Sequence, residues 1–306
     1  MVLGASGAMG KAVVAELTRR NLPMRQVERS VSVRGATYVA ADLLKEADAV
    51  AAIEGASHVY VCVGIPYAAA VWAREWPIVM QNVISAAERA KAVVVFFDNM
   101  YMYGPSPLQN PIREDHPQSP ESKKGKVRKM IADMLLAEHA NGRVKAVIGR
   151  SADFYGPGAR NSLLYITVLD RMLKGKNPQW LGPVDVPHSF AYTLDNGRAL
   201  VTLALDEGAY GSVWHLPVAT PTPTVAQMIE KISRELTKTF TVSVMPPLMM
   251  RLLAPFIPPL KEASEMVFQV RDPYVFSDAK FRARYPDFAT TSLDDGIAAM
   301  VADLRK

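Results

Sequence analysis

The chain has 306 residues, 49% of them hydrophobic and 21% charged, with 18 Gly and 22 Pro, a folded-domain composition that excludes disordered, collagen-like and low-complexity chains. Basic residues outnumber acidic ones by only 35 to 30, a net charge of +5, so nucleic acid is not an expected partner without a recognition motif or interleaved aromatics. No apolar run reaches the ~20 residues of a membrane span; the nearest, Pro246–Leu260, is broken by Arg251 and five prolines. The single cysteine, Cys62, excludes an internal disulfide framework, and five scattered histidines give no metal-ligand spacing. With no signal peptide ahead of the glycine-rich opening, the expectation is a cytoplasmic protein with no membrane or metal partner.

In chain order, Val2-Leu3 reads as a short strand, clipped enough that the true start is expected upstream of Met1. Met9–Arg20 has helical spacing. Met24–Arg29 and Thr37–Ala40 read as strands, Lys45–Ile53 as a short helix and His58–Val63 as a buried strand. Ala70–Ala90 is helical and must tolerate Pro77. Val93–Phe97 is the clearest strand, followed by a long helix over Ser122–Asn141 and a strand over Val144–Gly149. Strand and helix alternating in this way predict an α/β doubly wound parallel sheet, a Rossmann fold. Beyond it the chain is richer in proline. Helices are expected near Asn161–Lys174, Asp195–Asp206, Thr224–Leu236 and Ser292–Leu304, and strands at His188–Tyr192 and Ser212–Leu216. The expected domains are a dinucleotide-binding domain over residues 1–155, completed by about 186–216, and a smaller substrate-binding lobe over 156–306.

Gly4-Ala5-Ser6-Gly7-Ala8-Met9-Gly10 spaces its glycines by three, after a strand and at the start of a helix. That is the context of a dinucleotide fingerprint. Gly4 permits the tight turn, Gly7 lets backbone approach a pyrophosphate, and Gly10 lets helix pack on sheet; the helix N-terminus, at Ser6, Ala8 and Met9, then faces the phosphates. An acid closing the second strand would bind a ribose diol and favour NAD. Here that strand ends Val27-Glu28-Arg29-Ser30. Arg29, helped by Ser30 or Arg34, could hold a 2′-phosphate, so NADP is the expected cofactor, with NAD the alternative if Glu28 points inward. Asp42 follows the third strand, where it could meet the adenine amine or cap a helix.

These residues carry a resemblance to the extended short-chain dehydrogenase/reductase superfamily, in its NAD-dependent epimerase/dehydratase branch. Ala41-Asp42-Leu43 resembles the adenine-side segment, and Val59–Gly64, ending in Val63-Gly64, resembles the fourth strand and its cofactor-passing turn. Met102-Tyr103-Gly104-Pro105 and Pro111-Ile112-Arg113-Glu114-Asp115 resemble the segments after the fifth strand. Arg150-Ser151-Ala152-Asp153-Phe154-Tyr155-Gly156-Pro157-Gly158 resembles the segment beside the nicotinamide, which implies contacts from Ser151 and Asp153, with backbone capping the alternative for Asp153. The branch implies sugar-nucleotide substrates. It also implies a homodimer through Ala70–Ala90 and Ser122–Asn141, although the lysine-rich start of the second helix opposes close self-pairing.

The family's acid–base chemistry uses a Ser or Thr after the fifth strand and a Tyr-x-x-x-Lys pair, with Lys lowering the Tyr pKa. Here those positions hold Asn99, Lys124 and Arg128, so the standard mechanism does not transfer. A desolvated Lys124 near Arg128 could donate a proton to a carbonyl oxygen; Tyr101 could supply a phenol, and Asn99 could hydrogen-bond a substrate oxygen. The bland alternatives are a surface lysine within the run Lys123, Lys124, Lys126, Arg128, Lys129 and a packing role for Tyr101 and Tyr103. Asn161, Ser162, His188 and Arg271 are weaker candidates, read first as structural, and Cys62 reads as a buried core thiol. The apolar segment Met245–Phe268 is expected to cover a cleft or a subunit contact. Two functions compete: an NAD(P)-dependent oxidoreductase or epimerase/dehydratase-like enzyme with an unusual proton donor, acting on a small carbonyl, hydroxyl or sugar-nucleotide substrate, and a non-catalytic NADP(H)-binding sensor or scaffold.

Overall fold

A computed structural model describes residues 1–30, 37–246, 249, 252, 254 and 256–304. The chain divides into two compact units: Met1–Met102, Lys123–Ser151 and Leu194–Leu216 form the first; Tyr103–Ser122, Ala152–Thr193 and Pro217–Lys306 form the second.

The first unit begins with β1 (Val2–Leu3), α1 (Ala8–Arg19), β2 (Gln26–Glu28), β3 (Tyr38–Ala40), α2 (Glu46–Ile53) and β4 (His58–Val61). It continues with α3 (Ala69–Ala90), β5 (Val93–Asp98), α4 (Lys123–Ala140) and β6 (Lys145–Arg150). Seven strands form one sheet in the order β10-β6-β5-β4-β1-β2-β3, where β10 is Val213–His215. Every pairing in it is parallel. This is the doubly wound sheet that the alternating pattern predicts. β1 places Leu3 between Val27 and Val61 before the glycine turn.

Alternation along the strands explains why both faces are apolar. Leu3, Val27, Val59, Val61, Val94, Phe96, Ala146 and Ile148 join a core with Ala49, Ile53, Trp76, Met80, Val83 and Ile131 from α2, α3 and α4. Their neighbours Val2, Tyr60, Val95 and Val147 point the other way and are also buried. On α1, Ala12 meets Gly197 of a further helix so closely that a Cβ at Gly197 would lie 2.5 Å from the Ala12 carbonyl carbon. α3 runs through Pro77 as expected.

In the second unit β7 (Asp153–Tyr155) pairs in parallel with β9 (Phe190–Tyr192), and β8 (Gln179–Trp180) pairs with β11 (Ser243–Val244). The expected strand at His188 therefore begins at Phe190 and pairs outside the main sheet. The expected helix over 161–174 is interrupted by a π turn at Tyr165–Leu169, a local widening of the helix. Helix Val225–Glu235 starts with a capping box in which Thr224 and Gln227 satisfy each other's backbone N–H groups. Helix Leu293–Asp303 starts at Ser292, whose side chain accepts from the Asp295 N–H. The segment expected to cover a cleft, Met245–Phe268, lies partly outside the described residues; within it Leu252 and Phe256 are exposed.

Phe96 is fully buried at the centre of the sheet. Phe96→Ala is expected to cost about 3–5 kcal/mol and to lower the urea midpoint. Leu205→Ala, at a side chain left half exposed, is expected to leave that midpoint nearly unchanged.

Candidate functional site

The turn between β1 and α1 is built around two glycines that the protein itself requires. Gly4 has φ +75°, and a Cβ there would lie 2.8 Å from the Cys62 carbonyl oxygen and 2.9 Å from the Val63 Cα. A Cβ on Gly10 would lie 2.1 Å from the Gly4 carbonyl oxygen, so α1 can seat on the turn only if position 10 is glycine. Gly7 differs. Its Cβ would meet no protein atom closer than 3.4 Å, yet the position is exposed and heads α1 with no side-chain cap. The first turn of α1 carries no acid, and its leading N–H groups have no helical acceptor. Ser6 and Gly7 are exposed, Ala8 half-buried, and Met9 buried in the core. A short uncapped helix start with room above Gly7 is a cradle that fits a pyrophosphate.

At the end of β2, Glu28 turns inward: its carboxylate accepts the Ser6 N–H. Arg29 and Ser30 are exposed, and Arg34 lies outside the described residues. Asp42 makes a local turn, accepting the Leu44 N–H at 3.2 Å. It does not cap α2, whose N-cap is Lys45. Leu43 is a core side chain whose carbonyl accepts from the Asn82 amide at 2.9 Å. After β4, Val63 is half-buried, and Gly64 is exposed with nothing near the place of a Cβ.

The ends of β5 and α4 carry the groups expected to do chemistry. Helical spacing splits the basic run: Lys123 and Lys126 are exposed, whereas Lys124 and Arg128, one turn apart, are buried. The surface-lysine reading of Lys124 is thereby corrected, because its exposure is 0%. Its Nζ lies 4.5 Å from the centre of the Tyr67 ring. Arg128 points to the fully buried Asp98, with its Nε 2.8 Å and Nη2 2.5 Å from Oδ1. Nη2 also donates to the Phe97 carbonyl at 3.2 Å. The guanidinium lies 4.7 Å from the ring centres of Trp76 and Phe96. Arg150 Nε donates to the other Asp98 oxygen at 3.1 Å. Asp98 Oδ1 also accepts the Asn99 N–H at 2.9 Å, and Asn99 Oδ1 accepts the Tyr101 N–H at 3.0 Å. The Tyr101 ring stacks on Trp72 at 6.1 Å, and its oxygen lies 3.5 Å from the Tyr67 hydroxyl.

Other candidates have structural partners. Ser151 Oγ accepts from the Asn196 amide at 2.8 Å, and the Ser151 N–H donates to the Asp98 carbonyl. In the second unit, Asp153 Oδ2 lies 2.8 Å from His188 Nε2. The His188 ring is stacked on Tyr274, with its centre 4.7 Å away. Ser162 Oγ accepts the Tyr165 N–H, Asn161 is exposed, and Arg271 pairs with Asp272 and donates to Ser106 Oγ. Burial pushes the Cys62 thiol up to about 12, which leaves it protonated and inert at neutral pH. Among the described residues no cluster of His, Cys, Asp and Glu could hold a metal ion, and no helix is long and apolar enough to cross a membrane.

The model of the NAD dependent epimerase/dehydratase family matches residues 1–215. The chain belongs to that family. No curated protein matches the sequence. Solved structures share the fold. A UDP-glucose 4-epimerase with UDP-glucose from Thermotoga maritima has a TM-score of 0.80 at 18% identity, over 99% of this chain and 97% of that one. The Bordetella bronchiseptica enzyme WbmH in complex with NAD+ has a TM-score of 0.77 at 18% identity, over 100% and 97%. A Thermus thermophilus UDP-glucose 4-epimerase in complex with NAD has a TM-score of 0.77 at 15% identity, over 99% and 98%.

Within this family fold, sequence reasoning passed over Asp98 and Tyr67. Asp98 is an acid at the end of an otherwise apolar strand, which is a readable signal because such an acid needs a buried cation. Tyr67 had no comparable signal, since its neighbour Lys124 is distant in sequence. Asp98→Ala would strip Arg128 and Arg150 of their shared carboxylate and is expected to cost about 3–5 kcal/mol, read as a lower urea midpoint. Asp133→Ala, which removes the exposed partner of Lys129, is expected to change little.

Proposed function

We propose that the chain is a nicotinamide-dependent enzyme that exchanges hydride with a hydroxyl or carbonyl carbon, with NAD rather than NADP as its cofactor and a nucleotide sugar as its substrate class. The glycine turn and Glu28 together carry the reading. The N–H groups of Ala8 and Met9 would hold the pyrophosphate, Gly7 would let it approach, and Glu28 would accept from ribose hydroxyls. A 2′-phosphate there would meet the Glu28 charge, which supports NAD over the NADP that Arg29 and Ser30 suggest by themselves. The nicotinamide, when bound, supplies the hydride acceptor or donor.

The protein's own part is to orient and to move a proton. Lys124 replaces the family tyrosine in position and, being buried, lies where a charge acts strongly. Arg128 is a positioning residue: its guanidinium is committed to Asp98, which holds the Asn99 turn through the Asn99 N–H. The nucleotide-sugar class rests on the relatives' substrates by analogy of fold. The absence of the usual Tyr-x-x-x-Lys pair favours a second reading, an NAD(H)-binding protein without turnover.

Fluorescence titration of nucleotide-free protein tests the proposal. NADH is expected to bind at micromolar concentration or tighter, and NADPH about tenfold more weakly, a difference of about 1.4 kcal/mol. Glu28→Gln should narrow that gap. Tighter binding of NADPH would return the ribose site to Arg29 and Ser30, and binding of neither nucleotide would end the cofactor reading. Conversion of UDP-glucose by the wild type and its loss in Lys124→Met, with NADH binding kept, separates the enzyme from the non-catalytic reading.

A further inference from the structure

We propose that Tyr67 is the activated phenol of this site and Lys124 its charge partner, so that a tyrosine–lysine pair is rebuilt from two different elements. The inference rests on the functional reading above and supplies the proton donor that it leaves open. Tyr67 follows Pro66 in the loop after β4, and that loop starts at Cys62 and Val63, the residues against which Gly4 closes. Its position at the carboxyl end of a parallel strand is where doubly wound sheets bind ligands.

The side chain is held from three directions. Trp72, itself buried, presents its plane at 88° to the Tyr67 ring, with centres 5.6 Å apart. The Tyr101 oxygen lies 3.5 Å from the Tyr67 hydroxyl, a long contact for two hydroxyls. The Lys124 ammonium sits over the ring at 4.5 Å. Yet Tyr67 remains 45% exposed, unlike Lys124, which is fully buried. A buried ammonium against an open phenol stabilises negative charge that develops on the ring and its oxygen, while leaving that oxygen within reach of a substrate. Tyr101 is the less apt phenol, because its ring lies flat on Trp72 and the ammonium is over Tyr67.

In the reducing direction the Tyr67 O–H bond breaks and its proton passes to the substrate carbonyl oxygen. The carbonyl carbon gains a hydride, with both electrons, from a nicotinamide nucleotide. The product is the alcohol, and a phenolate is left on Tyr67 with the Lys124 ammonium over its ring. Oxidation of the alcohol returns the same proton to Tyr67.

The pair is tested without any substrate by nitration of the full chain with tetranitromethane at pH 7.5, which attacks phenolates, with each tyrosine followed by peptide mass spectrometry. Tyr67 is expected to react about tenfold faster than Tyr38, the scale of a cation held against a ring. That advantage should vanish in Lys124→Met. Equal rates in the wild type, or an advantage that survives Lys124→Met, would overturn the pair; if Lys124→Met does not fold, the wild-type ratio alone decides. The role is tested with UDP-glucose and NAD+, with the sugar nucleotide followed by chromatography and NADH at 340 nm. Tyr67→Phe should lower kcat about 100-fold, with KM and NADH affinity kept within about twofold. A kcat kept within about threefold would overturn the role. Failure to bind either nucleotide would remove the functional reading while nitration still decides the pair. Selective nitration in a protein that binds NADH but ignores UDP-glucose would support the pair and remove the nucleotide-sugar substrate.

Discussion

The Asp98 carboxylate is the point on which the site depends. It is fully buried at the end of β5, and such a charge is tolerable only when cations and N–H groups surround it. Arg128 comes from α4, Arg150 from the end of the neighbouring strand, and the Asn99 N–H from the chain's own continuation. One carboxylate therefore ties α4 to two adjacent strands. The register that sets Asp98 beside Arg150 is the same register that aligns the rest of β5 with β6. With Arg128 drawn inward, Lys124 one turn earlier is carried inward too.

Two sets of requirements fall on separate parts of the first unit. The tight turn, the helix start and the acid at the end of β2, on which the proposed cofactor site rests, all lie in the first thirty residues. The chemical side has changed. The residue at the usual lysine position maintains the fold, and the residue at the usual tyrosine position is a cation. A pyrophosphate cradle is made largely of backbone, so its requirements fall on glycines and on helix direction. Proton transfer depends on one side chain with one geometry, and the same need can be met from another element when the packing brings one near.

Much of this was legible in the residues. The apolar runs at Val2-Leu3, His58–Val61 and Val93–Phe97 lie in strands of the sheet, because a parallel strand buried on both faces leaves a nearly continuous apolar stretch. The glycine spacing marked the turn. The direction of Glu28 was not legible, since a three-residue strand is too short for alternation to show which face each side chain takes. The burial of Lys124 was hidden by composition: five cations within seven residues suggest a solvated face, and only the inward turn of Arg128 shows that the helix buries two of them. Tyr67 was hidden for a different reason. Two of its neighbours, Tyr101 after β5 and Lys124 at the start of α4, reach it only when the β4–α3–β5 crossover has been made and α4 has packed beside α3.

The three glycines of the first turn answer to different requirements. At positions 4 and 10 a side chain would collide with backbone, so any descendant that keeps the fold must keep glycine there. At position 7 the protein interior makes no such demand, and alanine would fit beside its nearest neighbours. A lineage that had retained the architecture but abandoned its nucleotide would be free to drift at Gly7 first. The middle glycine is thus the position where the fold's own demand ends and the demand of whatever is seated on the helix start begins.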